Sequence, residues 1–176
     1  MSRLLDLDIR RRIVATIQAY PGLHVRELAR QLDTSVALVE YHIAILAQNG
    51  LLRQERDERY VRLYAAGEAG NGPAPTARQR DQLAALRAKL PLQITLHLLD
   101  QEGPLQHKRI CDDLDLGKSK LSFHLRKLEA AGVVRKDADG RFEPTDRPGL
   151  LALLLAYKPT PNLKDEFADL WSSLYG

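Results

Sequence analysis

The chain has 176 residues, 44% of them hydrophobic and 28% charged, with a formal net charge of +3, which suits one medium domain or two small ones. No apolar run approaches the roughly 20 residues that span a bilayer, and the opening MSRLLDLDIRRR mixes acidic with apolar residues, which reads against a secretory leader. One cysteine, Cys111, excludes an intrachain disulfide and fits a reducing compartment.

In chain order, Ile13 and Ile17 stand at helical spacing before Pro21-Gly22, which predicts a first helix and its stop. VRELARQL follows as a short helix with Leu28 and Leu32 inward. The turn Asp33-Thr34-Ser35 opens a third helix whose inward positions are Val39, Ile43 and Leu46, closed by Gly50 as a left-handed C′ residue. LLRQERDERYVRLY reads as two short strands around Asp57-Glu58. AAGEAGNGPAPTAR lacks periodicity and reads as a linker. QRDQLAALRAKL, before Pro91, reads as a helix that adds to a dimer contact. The order then recurs. Leu96 and Leu99 precede the stop at Gly103-Pro104, and HKRICDDL carries Ile110 and Leu114. Asp115-Leu116-Gly117 opens a helix with Leu121, Leu125 and Leu128 inward, and Gly132 precedes a hairpin turning at Asp139-Gly140. At the end, Leu150, Leu151, Leu153, Leu154 and Leu155 predict a helix apolar nearly all round and therefore buried. Beyond Pro159 and Pro161, Phe167, Leu170, Trp171 and Leu174 form an amphipathic stripe expected to hold two chains together.

The recurrence is a repeat in the strict sense. Shifting the sequence by 82 positions without a gap superposes Leu23 on Leu105, Leu32 on Leu114, Asp33 on Asp115, His42 on His124, Gly50 on Gly132, Arg59 on Arg141 and Tyr60 on Phe142. The expected fold is mainly α with small β wings. It has a first domain over residues 1–66, a linker over 67–77, a second domain over 78–147 and C-terminal helices over 148–176. Helix, helix-turn-helix and hairpin is the order of a winged helix. ELARQLDTSVALVEYHIAILAQNGLL and KRICDDLDLGKSKLSFHLRKLEAAGVV both resemble the winged helix-turn-helix modules of ArsR- and MarR-like transcription regulators. That resemblance implies double-stranded DNA as the partner, while the C-terminal stripe predicts a homodimer and the single cysteine fits a cytoplasmic, nucleoid-associated protein.

In a helix-turn-helix the third helix enters the major groove and the wing touches backbone or minor groove. In the second copy the outward residues are Lys118, Ser119, Ser122, Phe123 and Arg126, flanked by Lys120 and Lys127. The cations suit phosphates, Ser119 and Ser122 suit base edges, and Phe123 suits a thymine methyl. Arg135, Lys136 and Arg141 would add positive charge to the wing. In the first copy the same helix positions read Val36, Ala37, Glu40 and Tyr41, an almost apolar face that either meets protein, the favoured expectation, or reads DNA weakly by shape and methyl contacts. Its wing, with Arg53, Arg56 and Arg59, keeps backbone contact open. A tandem winged-helix interaction scaffold of a chromosome-associated complex, similar to the subunits of condensin-type assemblies, is the alternative reading. His107 and Cys111 lie four apart on one helix, but two ligands do not close a metal site, and a wet His beside a small buried Cys is expected. His42 and His124 read as histidines packed at the helix-to-core margin. There is no nucleophile elbow, phosphate-binding Gly loop or His-Glu metal motif, so neither an enzyme nor a cofactor is expected.

Overall fold

The computed structural model describes residues 2–57, 60–66 and 75–157. The chain divides into two compact units, residues 1–76 and 77–176, each with its own apolar core. Both are helical with small antiparallel wings. No helix among the described residues is long and apolar enough to cross a membrane.

In the first unit α1 (Ser2–Ala19) leads into β1 (Leu23–His24), α2 (Val25–Gln31), α3 (Val36–Gln48), β2 (Leu52–Asp57) and β3 (Tyr60–Ala65). Local chemistry sets these boundaries. His24 accepts from the Glu27 N–H at the start of α2, and Ser35 Oγ accepts from the Leu38 N–H at the start of α3. Asp33 takes the left-handed conformation between the two helices. Gly50, at φ +70, lets the Leu51 N–H reach the Leu46 carbonyl at 2.9 Å, the six-to-one closure of a Schellman end. Ile13 and Ile17 from α1 meet Leu28, Val39, Ile43 and Leu63 in the core. The sheet order is β1-β3-β2, with Leu23 opposite Leu63 and Leu52 opposite Ala65. β1, two residues long, is too short for any periodicity to announce it. The wing ladder continues to Asp57 opposite Tyr60, so Asp57 belongs to a strand rather than to the expected turn.

The second unit comprises α4 (Ala77–Ala85), α5 (Lys89–Asp100), α6 (His107–Leu114), α7 (Lys118–Ala130), β4 (Val134–Lys136), β5 (Phe142–Pro144) and α8 (Arg147–Ala156). Leu96, Leu99, Ile110, Leu121, Leu125, Leu128 and Phe142 fill its core. Burial of a side chain such as Leu121 stabilises by roughly 1.5–3 kcal/mol. A single bridge between Leu105 and Phe142 stands where the first unit has β1.

Three expectations change here. The ungapped shift fails in the wing, because Leu63 pairs with Leu23 as Phe142 pairs with Leu105, and Ala66 bonds Leu51 as Thr145 bonds Val133. The second wing is therefore three residues shorter, Tyr60 is not the counterpart of Phe142, and Arg62 rather than Arg59 matches Arg141. Next, α4 has a packing role within its own unit. It lies on α7, with Leu83 and Leu86 buried. Lastly, α8 buries one face only: Leu150, Leu153 and Leu154 are covered while Leu155 is 69% exposed. The side chain of Asp146 caps α8, and Arg147 donates to the carbonyls of Leu98, Leu99 and Gln101 at the end of α5.

Candidate nucleic-acid interface

α7 presents its outward face because Leu121, Leu125 and Leu128, at i, i+4 and i+7, are drawn inward. Lys118, Ser119, Lys120, Phe123, Arg126 and Lys127 are exposed on what remains. Lys118, Lys120 and Arg126 have no acidic partner among the described residues. The Lys127 ammonium lies 4.9 Å from the centre of the Phe123 ring, a cation–π contact that keeps the apolar ring and a positive charge side by side. Gly117 at the N-cap offers no side chain, so the first N–H groups of α7 are left without a side-chain cap. α3 differs at this point, its N-terminus being occupied by Ser35.

Ser122, expected at a base edge, is half-buried. Its hydroxyl is 2.9 Å from His107 Nε2, and His107 Nδ1 is 3.6 Å from Cys111 Sγ. This chain of contacts ties α6 to α7 and corrects the expectation of a wet histidine: His107 is half-buried and partnered on both ring nitrogens. No group of three or more metal-ligating side chains occurs among the described residues. His124 sits beside α7's cations. Partial burial first, then the charges of Lys120 and Lys127, hold its pKa below the ordinary imidazole value.

The second wing carries its positive charge in compensated form. Arg135 Nε donates to Glu143 at 2.9 Å, and Arg141 reaches both Asp137 and Asp139 at 2.8 Å. Lys136 stands 3.9 Å from Glu129 and 5.2 Å from the centre of the Phe142 ring. Desolvation acts to raise the Asp137 carboxyl, but bonds from the Arg141 backbone and guanidinium and from the Asp139 N–H outweigh it, so its pKa lies below the usual carboxylate range. Arg141 is correspondingly held more firmly protonated by its bond to Asp137.

On α3 the equivalent face is apolar. Val36, Ala37, Glu40 and Tyr41 are all exposed, and Leu38, not foreseen from the spacing, joins them at 41% exposure. Arg53 and Arg56 are both exposed on β2. Arg59, Phe167, Leu170, Trp171 and Leu174 lie outside the described residues. His42 is buried and accepts at Nδ1 from Arg10 Nε–H at 3.3 Å, whereas His124 Nδ1 is buried with no partner among the described residues.

Comparison with known proteins finds both modules. Residues 7–70 match a family described as an N-terminal HTH domain, and residues 92–136 match the bacterial regulatory protein arsR family. An uncharacterized HTH-type transcriptional regulator of Methanocaldococcus jannaschii is 28% identical over 138 residues, 78% of this chain. The chain spans 33% of that protein's length. ScpB from Mycobacterium tuberculosis aligns over 83% of this chain and 95% of its own at 15% identity, with a TM-score of 0.26, which carries no weight for fold or function. Two helix-turn-helix matches laid over two winged-helix folds make this chain a tandem winged helix-turn-helix protein, ArsR-like in its second domain.

Proposed function

We propose that the chain is a duplex-DNA-binding transcription regulator in which the second module reads DNA through α7. One observation carries this reading: α7 offers Lys118, Lys120, Arg126 and Lys127 around an uncapped helix start, with Ser119 and Phe123 among them. Phosphates bind the cations and the open N–H groups. Ser119 then reaches a base edge as donor and acceptor, and Phe123 meets a thymine methyl. Ser122 acts from behind, its hydroxyl shared with His107. The wing, with Arg135, Lys136 and Arg141 paired to carboxylates, contributes less to phosphate binding than the helix.

The first module meets protein through Val36, Ala37, Leu38 and Tyr41, a reading favoured by their exposure on an apolar face without a single cation. Arg53 and Arg56 supply what backbone contact that module makes. The decisive experiment is a salt series of binding to random duplex DNA, followed by selection from a random pool. Steeply salt-dependent binding and an enriched sequence support the regulator. A flat salt response supports an interaction scaffold instead.

A further inference from the structure

The first unit carries a feature that DNA reading does not use. Between α1 and the C-terminal half of α3 lies an open groove of about 550 Å³, within the size range of small-molecule sites. Leu7, Val14, Ala15, Ile45 and Leu51 supply its apolar lining. Arg10 and Arg11 supply its charge. Arg10 uses only its Nε–H, on His42, so its two terminal amino groups have no partner among the described residues. Arg11 is exposed and likewise has no acidic partner among them.

The sister module shows how this face is otherwise closed. There α4 lies on α7, burying Leu83 and Leu86, and Gln82 Nε2 donates to the Gly132 carbonyl at 3.0 Å. Gly132 is the counterpart of Gly50, whose neighbours Asn49 and Leu51 line the groove. In the 82-residue register the second module has Leu92 and Gln93 where the first has Arg10 and Arg11. A covering helix such as α4 needs no charge at those positions. Two arginines lining an apolar floor that no described element covers match a different occupant, one with an anionic head and an apolar body.

We infer that this groove binds a small amphipathic carboxylate, its head held by Arg10 and Arg11 and its body laid along Val14, Ile45 and Leu51. Guanidinium and carboxylate pair through two parallel hydrogen bonds, which gives the head a fixed orientation. Because Arg10 also holds His42 on α3, occupancy is felt at that imidazole. The site stands whether or not either module reads DNA.

The test is calorimetric titration of the full chain with decanoate, beside decyltrimethylammonium, which has the same body and the opposite charge, and acetate, which has the head alone. All are kept below micelle formation. Decanoate is expected to bind with a Kd of about 10–100 µM, given the affinity per atom usual for ligands of this size. The cation and acetate should bind at least about tenfold more weakly, and Arg10→Gln with Arg11→Gln should weaken decanoate about tenfold or more. Ala15→Trp, at an exposed helix position, fills the groove without touching the core and should abolish binding with an unchanged helical spectrum. Decanoate should also move the His42 imidazole nitrogen resonances. Equal affinity for decanoate and the cation, undiminished binding in Ala15→Trp, or no heat up to millimolar decanoate would each overturn the assignment. So would loss of a dimer on Ala15→Trp, which would make the groove an interface between copies.

Discussion

Replacing Lys118 and Lys120 together by Ala removes two of the unpaired cations at the start of α7 while leaving Leu121 and the helix core intact. Each B-DNA phosphate that is no longer neutralised lowers the slope of log K against log salt by about 0.9, so the pair should lower it by about 1.8. If wild type and variant converge near 1 M salt, where the electrostatic part of binding has vanished, the variant binds about 60-fold more weakly at 0.1 M, equivalent to about 2.4 kcal/mol. Fluorescence anisotropy with a labelled random duplex between 50 and 300 mM salt measures both quantities. Arg135→Gln is the internal control. That guanidinium is already bonded to Glu143 at 2.9 Å, so its removal should change the slope by clearly less than about 0.9. A double variant with an unaltered helical spectrum and a wild-type slope would remove α7 from the DNA, and a larger effect from Arg135→Gln would move the interface to the wing.

Three further outcomes are expected. Gly132→Ala, at φ +69 with only the Arg78 side chain near a new Cβ, should destabilise the second unit by about 1 kcal/mol through backbone strain alone, read by urea unfolding. His124 has a folded pKa below its unfolded value, so the unfolded chain binds the proton more readily; its contribution to stability is present above the ordinary imidazole value and lost as pH falls below it. His124→Gln should therefore flatten the stability profile between about pH 7.5 and 5, and an unchanged acid slope would contradict this. Sedimentation of the intact chain beside one ending at Pro159 tests the apolar stripe of Phe167, Leu170, Trp171 and Leu174: two chains in the first and one in the second are expected, and a monomeric intact chain at micromolar concentration rules the dimer out.

The helical order was legible because each third helix carries its inward residues at unbroken spacing and closes on a glycine, as Leu121, Leu125, Leu128 and Gly132 do. The wings were less legible. Hairpin register depends on the partner across the turn, and a three-residue difference in loop length leaves the identity of Arg59 with Arg141 a coincidence of spacing. α8 looked apolar all round in composition, yet only packing decides which of five leucines are covered. The outward residues of α7 could be read from the helix period, but the pairing of Arg135 with Glu143, or of Ser122 with His107, joins residues 8 and 15 apart through tertiary placement. The groove beside Arg10 depends on how α1 crosses α3, for which the sequence offers only two arginines on a helix otherwise readable as solvated.

Arg147 ties the last turn of α5 to the first turn of α8 by bonding the carbonyls of Leu98, Leu99 and Gln101. One side chain thus makes α8 part of the same opening unit as the second winged helix, so amide protons near Leu99 and Leu153 should exchange at matching rates and lose protection together. A signal that loosened α8 would then reach the helix-turn-helix as a change in local unfolding rather than as a movement of rigid parts.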